Sequence, residues 1–86
     1  MSDPEGLVSF GRHALDILAE RGIERAWVEH TLRAPEAVEN DPRHAGRMRA
    51  FRAIPERGGR VLRVVYVSTG DALHVITCFL DRGRRR

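Results

Sequence analysis

The spacing of apolar residues along this chain changes near residue 35, from a helical period to a period of two. A first helix, with Ser9 as its N-cap and its end near Arg21, is predicted by apolar residues that recur on one side: Phe10, Ala14, Ile17 and Leu18. Gly22 is typical of the residue that follows a helix, and Ile23 is placed to cover the helix end. The N-terminal segment is therefore predicted to be helical.

A second helix is predicted over residues 24–33, where the apolar side is formed by Trp27, Val28, Thr31 and Leu32. It should stop before Pro35, because the residue before a proline avoids helical geometry. The two helices would then lie next to each other at the start of the chain.

The remainder of the chain has the alternation that is typical of strands. Residues 47–54 alternate, residues 60–68 are rich in valine and apolar on both sides, and residues 73–80 form a further strand after a turn. A short strand near 36–40 is a further candidate. The predicted fold is α+β, with two N-terminal helices followed by a three- to four-stranded antiparallel meander.

Residue parity predicts which strand positions face away from the helices. Arg47, Arg49, Arg63 and Thr77 are assigned to this open face, and Tyr66 lies on the opposite side from Arg63. In the last strand the same counting groups Thr77 with other odd positions, which are Leu73, Val75 and Phe79. Basic side chains from two strands and a threonine from a third would then share one surface.

The charges are unevenly distributed along the chain. All 15 basic residues are arginines; residues 1–41 contain nine acids and four arginines, whereas residues 42–86 contain three acids and eleven arginines. A guanidinium is planar and forked and binds phosphate in a bidentate manner, so this segregation favours a polyanionic partner, nucleic acid before a membrane. The alternative is a GC-rich genome that prefers arginine codons.

Size and composition indicate one soluble domain. With 86 residues, 42% hydrophobic and 31% charged, the chain forms a single domain over 1–86, with 1–8 and 82–86 expected to be flexible. A single cysteine excludes an internal disulfide and provides too few thiols for a zinc knuckle. No signal peptide or membrane-spanning segment is recognised, so a bacterial cytoplasmic location is expected.

Three residues are candidates for chemistry. His13, at the edge of the first helix's apolar side, is a candidate acid or base, or else an ordinary surface histidine. Arg63 lies between valines, so it needs an anionic ligand or a carboxylate partner, for example a glutamate of the helical half. Thr77 is a phosphate ligand or simply a common strand residue. The four histidines lack metal-binding spacing, so no metal and no cofactor are expected.

The chain resembles a bacterial family, domain of unknown function 4258. The resemblance rests on residues 13–23 (HALDILAERGI), the helix end at 32–35 (LRAP) and the sheet segments 60–66 (RVLRVVY) and 75–77 (VIT), and covers about residues 10–80. That family is similar in layout to the RelE/ParE and BrnT toxins and to small metal-free ribonucleases such as barnase. The resemblance implies a site made of a helix histidine, a basic residue and a sheet hydroxyl, which here are His13, Arg21 or Arg63, and Thr77.

These observations lead to three hypotheses. The first is a toxin-like ribonuclease that cleaves RNA without metal through attack of the ribose 2′-hydroxyl, with His13, Arg63 and Thr77 as catalytic residues and Arg21, Arg47 and Arg49 binding substrate. The second is a non-catalytic module that binds RNA or an acidic antitoxin. The third is an assembly protein that forms a homodimer through an exposed sheet edge.

Overall fold

The computed structural model describes the backbone of residues 7–85 and the side chains of residues 7–81. The elements follow in the order β1 (Val8–Phe10), α1 (Arg12–Arg21), α2 (Arg25–Arg33), β2 (Ala37–Asn40), β3 (Arg47–Ile54), β4 (Arg60–Thr69) and β5 (Ala72–Arg85). A single 3-10 turn, Pro55–Arg57, connects β3 to β4. The α+β class is confirmed. β5 continues into the segment 82–86 that was expected to be flexible, and residues 1–6 and Arg86 lie outside the described part.

The sheet has five strands in the order β1-β5-β4-β3-β2. Strands β2 to β5 form the antiparallel meander that the alternation predicts. β1, however, precedes the helices and pairs in parallel with β5, with Val8 opposite Leu73 and Phe10 opposite Val75. The prediction of a purely antiparallel sheet after two N-terminal helices is therefore wrong in this part. Three residues are too few to show a strand period, and the partner strand lies far away along the chain.

The start of the first helix also differs from the prediction. Ser9 lies in β1, where its hydroxyl and the Nδ1 atom of His74 are 2.8 Å apart, instead of capping α1. The N-cap is Gly11, which has no side chain to accept a bond and whose amide donates to the Val75 carbonyl at 2.9 Å. Pairing with β5 therefore takes the place of a side-chain cap.

The helix ends are as predicted. Gly22 follows α1 with φ at 64°, a left-handed conformation that glycine adopts without steric cost, and Ile23 behind it is buried. α2 begins at Arg25, one residue later than predicted, and ends at Arg33, two residues before Pro35. No helix in the described part is long and apolar enough to cross a membrane.

Both helices pack on one face of the sheet, which we call the helix face. The core there combines helix residues such as Ala14, Leu18 and Val28 with strand residues such as Leu62 and Val64. Removing this apolar surface from water provides most of the stabilisation of such a small domain. Tyr66 lies on this face, and burial raises the pKa of its hydroxyl.

The other face, the open face, has no helix over it among the described elements, yet parts of it are buried. Phe51, Val61 and Val65 have relative exposures of 2%, 2% and 6%. Strand register places Arg47, Arg49, Arg63 and Thr77 on this face, as parity predicts. The grouping of Leu73 and Val75 with Thr77 is wrong, because a bulge at Ile76 pairs Tyr66 with Val75 and Val65 with Thr77.

Candidate functional site: two arginine-lined clefts

A cleft of about 660 Å³, which we call the α1–β5 cleft, separates the first helix from the last strand. The cleft exists because β1 pairs with β5 only as far as Val75. Beyond Val75 the outer edge of β5 has no neighbouring strand in the described part of the chain. The helical period brings one side of α1 into its wall: His13, Ile17, Glu20 and Arg21. The opposite wall comes from the β3–β4 turn and from β5: Arg57, Arg60 and Thr77 to Leu80.

Basic groups dominate this cleft. Arg57 donates to the carbonyls of Arg21 and Gly22, at 3.4 and 3.3 Å, and so ties the β3–β4 turn to the C-terminus of α1. The side chains of His13, Arg21 and Arg60 make no hydrogen bond or ion pair within the described part of the chain. Two guanidiniums and an imidazole are therefore free to meet an anion here.

Cys78 also lines the α1–β5 cleft, but its thiol is a poor nucleophile. Burial raises the pKa of its thiol to about 11. Since the thiolate is the nucleophilic form, a thiol with this pKa is almost entirely unreactive at neutral pH. Cys78 is thus a core residue rather than a nucleophile.

A second depression, of about 510 Å³, lies on the open face, and we call it the arginine groove. Its sheet floor holds Arg47, Arg49, Arg63, Val65 and Thr77, and its rim is the β2–β3 turn with Asp41, Arg43 and His44. The amide of Arg43 donates to Asp41 at 2.8 Å, and this bond is the largest of the causes that lower the pKa of that carboxyl. The rim therefore contributes one negative charge beside its basic groups.

Two of the groove arginines already have carboxylate partners. Arg49 bonds Glu39 at 2.8 Å, and Arg63 bonds Asp81 at 2.6 Å. The partner of Arg63 is thus an aspartate of the adjacent strand and not a glutamate of the helical half. Arg47 makes no ion pair or hydrogen bond with its side chain among the described residues, so its charge remains available.

Aromatic rings hold the two paired guanidiniums in place. Arg63 lies 5.5 Å from the centroid of Phe51 and 4.7 Å from that of Phe79, and Arg49 lies 6.0 Å from Phe51. These distances are within cation–π range. The Nε atoms of both arginines are buried without a hydrogen-bond partner in the described part, so ring contact and the carboxylates must offset that loss.

We expect Arg63→Gln to destabilise the fold by about 1–3 kcal/mol, since it removes a charge-assisted bond and leaves Asp81 half-buried without this partner. Thermal melts would show a fall in Tm of several degrees. The matched control is Arg12→Gln, an exposed helix position that should change stability by less than about 0.5 kcal/mol. An unchanged Tm for Arg63→Gln would argue that the pair with Asp81 contributes nothing.

The predicted site residues fall into two groups. His13, Arg21 and Thr77 line the α1–β5 cleft, whereas Arg47, Arg49, Arg63 and Thr77 line the arginine groove. His13 and Arg63 lie on opposite sides of the sheet, so the structure does not bring these two predicted catalytic residues together. Thr77 borders both clefts because it lies at the edge.

Sequence reasoning did not identify Glu20, Arg57 and Arg60 as site residues. Glu20 shares the side of α1 that carries His13, a spacing of seven that could have indicated it. Arg57 and Arg60 flank Gly58-Gly59, a glycine pair whose composition predicts only a turn between two strands. No group of three or more His, Cys, Asp or Glu side chains in the described part is arranged to bind a metal ion.

Comparison with known proteins assigns a family. The sequence-family model of a domain of unknown function, DUF4258, matches residues 10–79 of this chain. These residues run from the end of β1 to Phe79 in β5. No match was found among curated proteins or among solved structures. The matched segment contains the predicted site residues from both clefts. The chain therefore belongs to the DUF4258 family.

Proposed function

We propose that this protein is a small endoribonuclease of the RelE/BrnT toxin type, which cleaves RNA without a metal ion in the α1–β5 cleft. One observation carries the proposal. His13 and Thr77, which the family resemblance implies as acid–base group and sheet hydroxyl, line the same cleft as Arg21, one of the two arginines that it allows as the basic residue. Arg57 and Arg60 add two further guanidiniums.

The proposed reaction is an internal transesterification of RNA. His13 accepts the proton of a ribose 2′-hydroxyl, the 2′-oxygen forms a bond to the adjacent phosphorus, and the bond to the 5′-oxygen breaks. The 5′-oxygen leaves as a hydroxyl after taking a proton from water, and the hydroxide so formed takes the proton held by His13, which restores the neutral imidazole. The products are a 2′,3′-cyclic phosphate and a 5′-hydroxyl end, and the protein forms no covalent intermediate.

The basic groups of the cleft would stabilise the charge that develops on the phosphorane. Guanidiniums are suited to this task because they present several donors in a fixed plane. Arg21 and Arg60 have no competing partner within the described part of the chain, so they can turn towards a phosphate. Arg63 loses its proposed catalytic role here, because it is bound to Asp81 on the other side of the sheet.

The experiment that tests this function is incubation of the pure protein with mixed RNA, with and without a chelator. Cleavage that resists the chelator and leaves 2′,3′-cyclic phosphate ends is expected. If the folded protein cuts no RNA, free or ribosome-bound, the ribonuclease proposal is wrong.

A second candidate is a module that binds RNA or an acidic partner without cleaving it. The arginine groove favours this candidate, since Arg43 and Arg47 provide charge that no described carboxylate neutralises through an ion pair. Such a module would need no acid–base group, and its affinity would depend mainly on phosphate contacts.

We expect the affinity for single-stranded RNA to fall steeply with salt, because each neutralised phosphate releases counterions. Arg47→Gln should reduce the slope of log K against log salt by about 0.7, the value for one phosphate contact on a single strand. Arg12→Gln, which removes an exposed arginine from outside both clefts, serves as the control. If the slope of log K against log salt is the same in both variants, the arginine groove does not contact the RNA.

A further inference from the structure

The edge of β5 is where the two clefts meet. β1 borders this strand only from Leu73 to Val75, and beyond that point no described strand covers its outer edge. Thr77 comes two residues later and lines both the α1–β5 cleft and the arginine groove. A ligand at Thr77 can therefore contact both depressions at once.

Strand register shows which residues of the open face lie beside Thr77. Arg49, Val65 and Thr77 lie side by side on β3, β4 and β5, and Phe51, Arg63 and Phe79 form the adjacent row. Since neighbouring strands are about 4.8 Å apart, each row spans roughly 10 Å. Arg47 lies beyond the first row, at the far side of the groove from the β5 edge.

Phe79 adds an aromatic surface to this edge. It is two residues from Thr77, 38% exposed and part of the α1–β5 cleft wall. The Arg63 guanidinium lies 4.7 Å from its ring centroid and helps to fix its position. A partly exposed ring beside a guanidinium, in a cleft lined by further arginines, is a surface on which an unpaired base can stack.

We infer that the substrate class is single-stranded RNA that crosses the edge of β5, with a base on Phe79, a phosphate at Thr77 and the adjoining nucleotides in the groove towards Arg47. This inference rests on the proposed function for the position of the cleaved phosphate. A duplex is excluded, because its bases are stacked on each other and its stiff backbone cannot turn around the edge of one strand.

The first test is equilibrium binding of a labelled, non-cleavable eight-nucleotide strand, alone or annealed to its complement. Wild-type protein should prefer the single strand, and Phe79→Leu should weaken that binding about tenfold or more, whereas Phe79→Tyr should keep it. Leu15→Ala, an exposed apolar position on α1, is the matched control. Equal binding of duplex and single strand, or wild-type affinity in a folded Phe79→Leu protein, would overturn the inference.

The second test measures the length of the path. Arg47→Gln should weaken binding of the eight-nucleotide strand but not of a dinucleotide, which is too short to reach from Thr77 to the far side of the groove. The same loss for both ligands would contradict the proposed path. Because the ligand is not cleaved, this result does not depend on the proposed function, which the cleavage assay with and without chelator tests separately.

Discussion

His13→Ala is expected to lower the rate of RNA cleavage by roughly 10²–10⁴, the usual contribution of a positioned acid or base. His13 is the only histidine among the residues that line the α1–β5 cleft, and its side chain has no hydrogen-bond or ion-pair partner in the described part. Its removal should therefore affect the reaction without disturbing the fold. The measurement is the initial rate on a fixed RNA with chelator present, together with a thermal melt.

The matched control for this experiment is His30→Ala. His30 is exposed on α2, lies outside both clefts and donates or accepts no side-chain hydrogen bond within the described part. Both variants should melt at the wild-type temperature, and only His13→Ala should lose activity. If folded His13→Ala protein cleaves at the wild-type rate, another group performs the acid–base chemistry and the proposed site is incorrect.

Phe51→Ala is expected to destabilise the protein by about 3–5 kcal/mol, the typical cost of removing a buried phenylalanine side chain. Phe51 is 2% exposed although it lies on the open face, where it supports the guanidiniums of Arg49 and Arg63. Its truncation would leave a cavity and also remove the ring that helps to offset their buried Nε atoms. Because small domains are stable by about 5–15 kcal/mol, this loss would remove roughly a third or more of the stability of a domain in the lower half of that range.

Urea denaturation followed by circular dichroism measures this effect. Val38→Ala provides a control, since Val38 is 46% exposed on the adjacent strand β2 and should change the free energy of unfolding only slightly. If Phe51→Ala is too unstable to purify, Phe51→Leu should give a folded protein with a smaller loss, about 1–1.5 kcal/mol. A loss under 1 kcal/mol for Phe51→Ala would show that the open face has no packed core of its own.

Among the site residues, those on regular elements were the most predictable. Alternation in β3 and β4 placed Arg47, Arg49 and Arg63 on the open face, because side-chain direction in a strand reverses at every residue. Arg21, which lines the α1–β5 cleft together with His13, was indicated by the family resemblance and not by the helical period. Which carboxylate would pair with Arg63 was not predictable, since Asp81 is brought to it by strand register.

The sequence by itself determined features that are local. These are the α+β class, the helix ends at Gly22 and before Pro35, and which residues of β3 and β4 face away from the helices. Each of these follows from propensity or periodicity within a few residues. Tertiary structure decided the parallel pairing of β1 with β5, the bulge at Ile76 and the separation of His13 from Arg63. These features depend on contacts between residues far apart in the chain, whose gain must exceed the entropy of closing the loop, and no short sequence pattern encodes that balance.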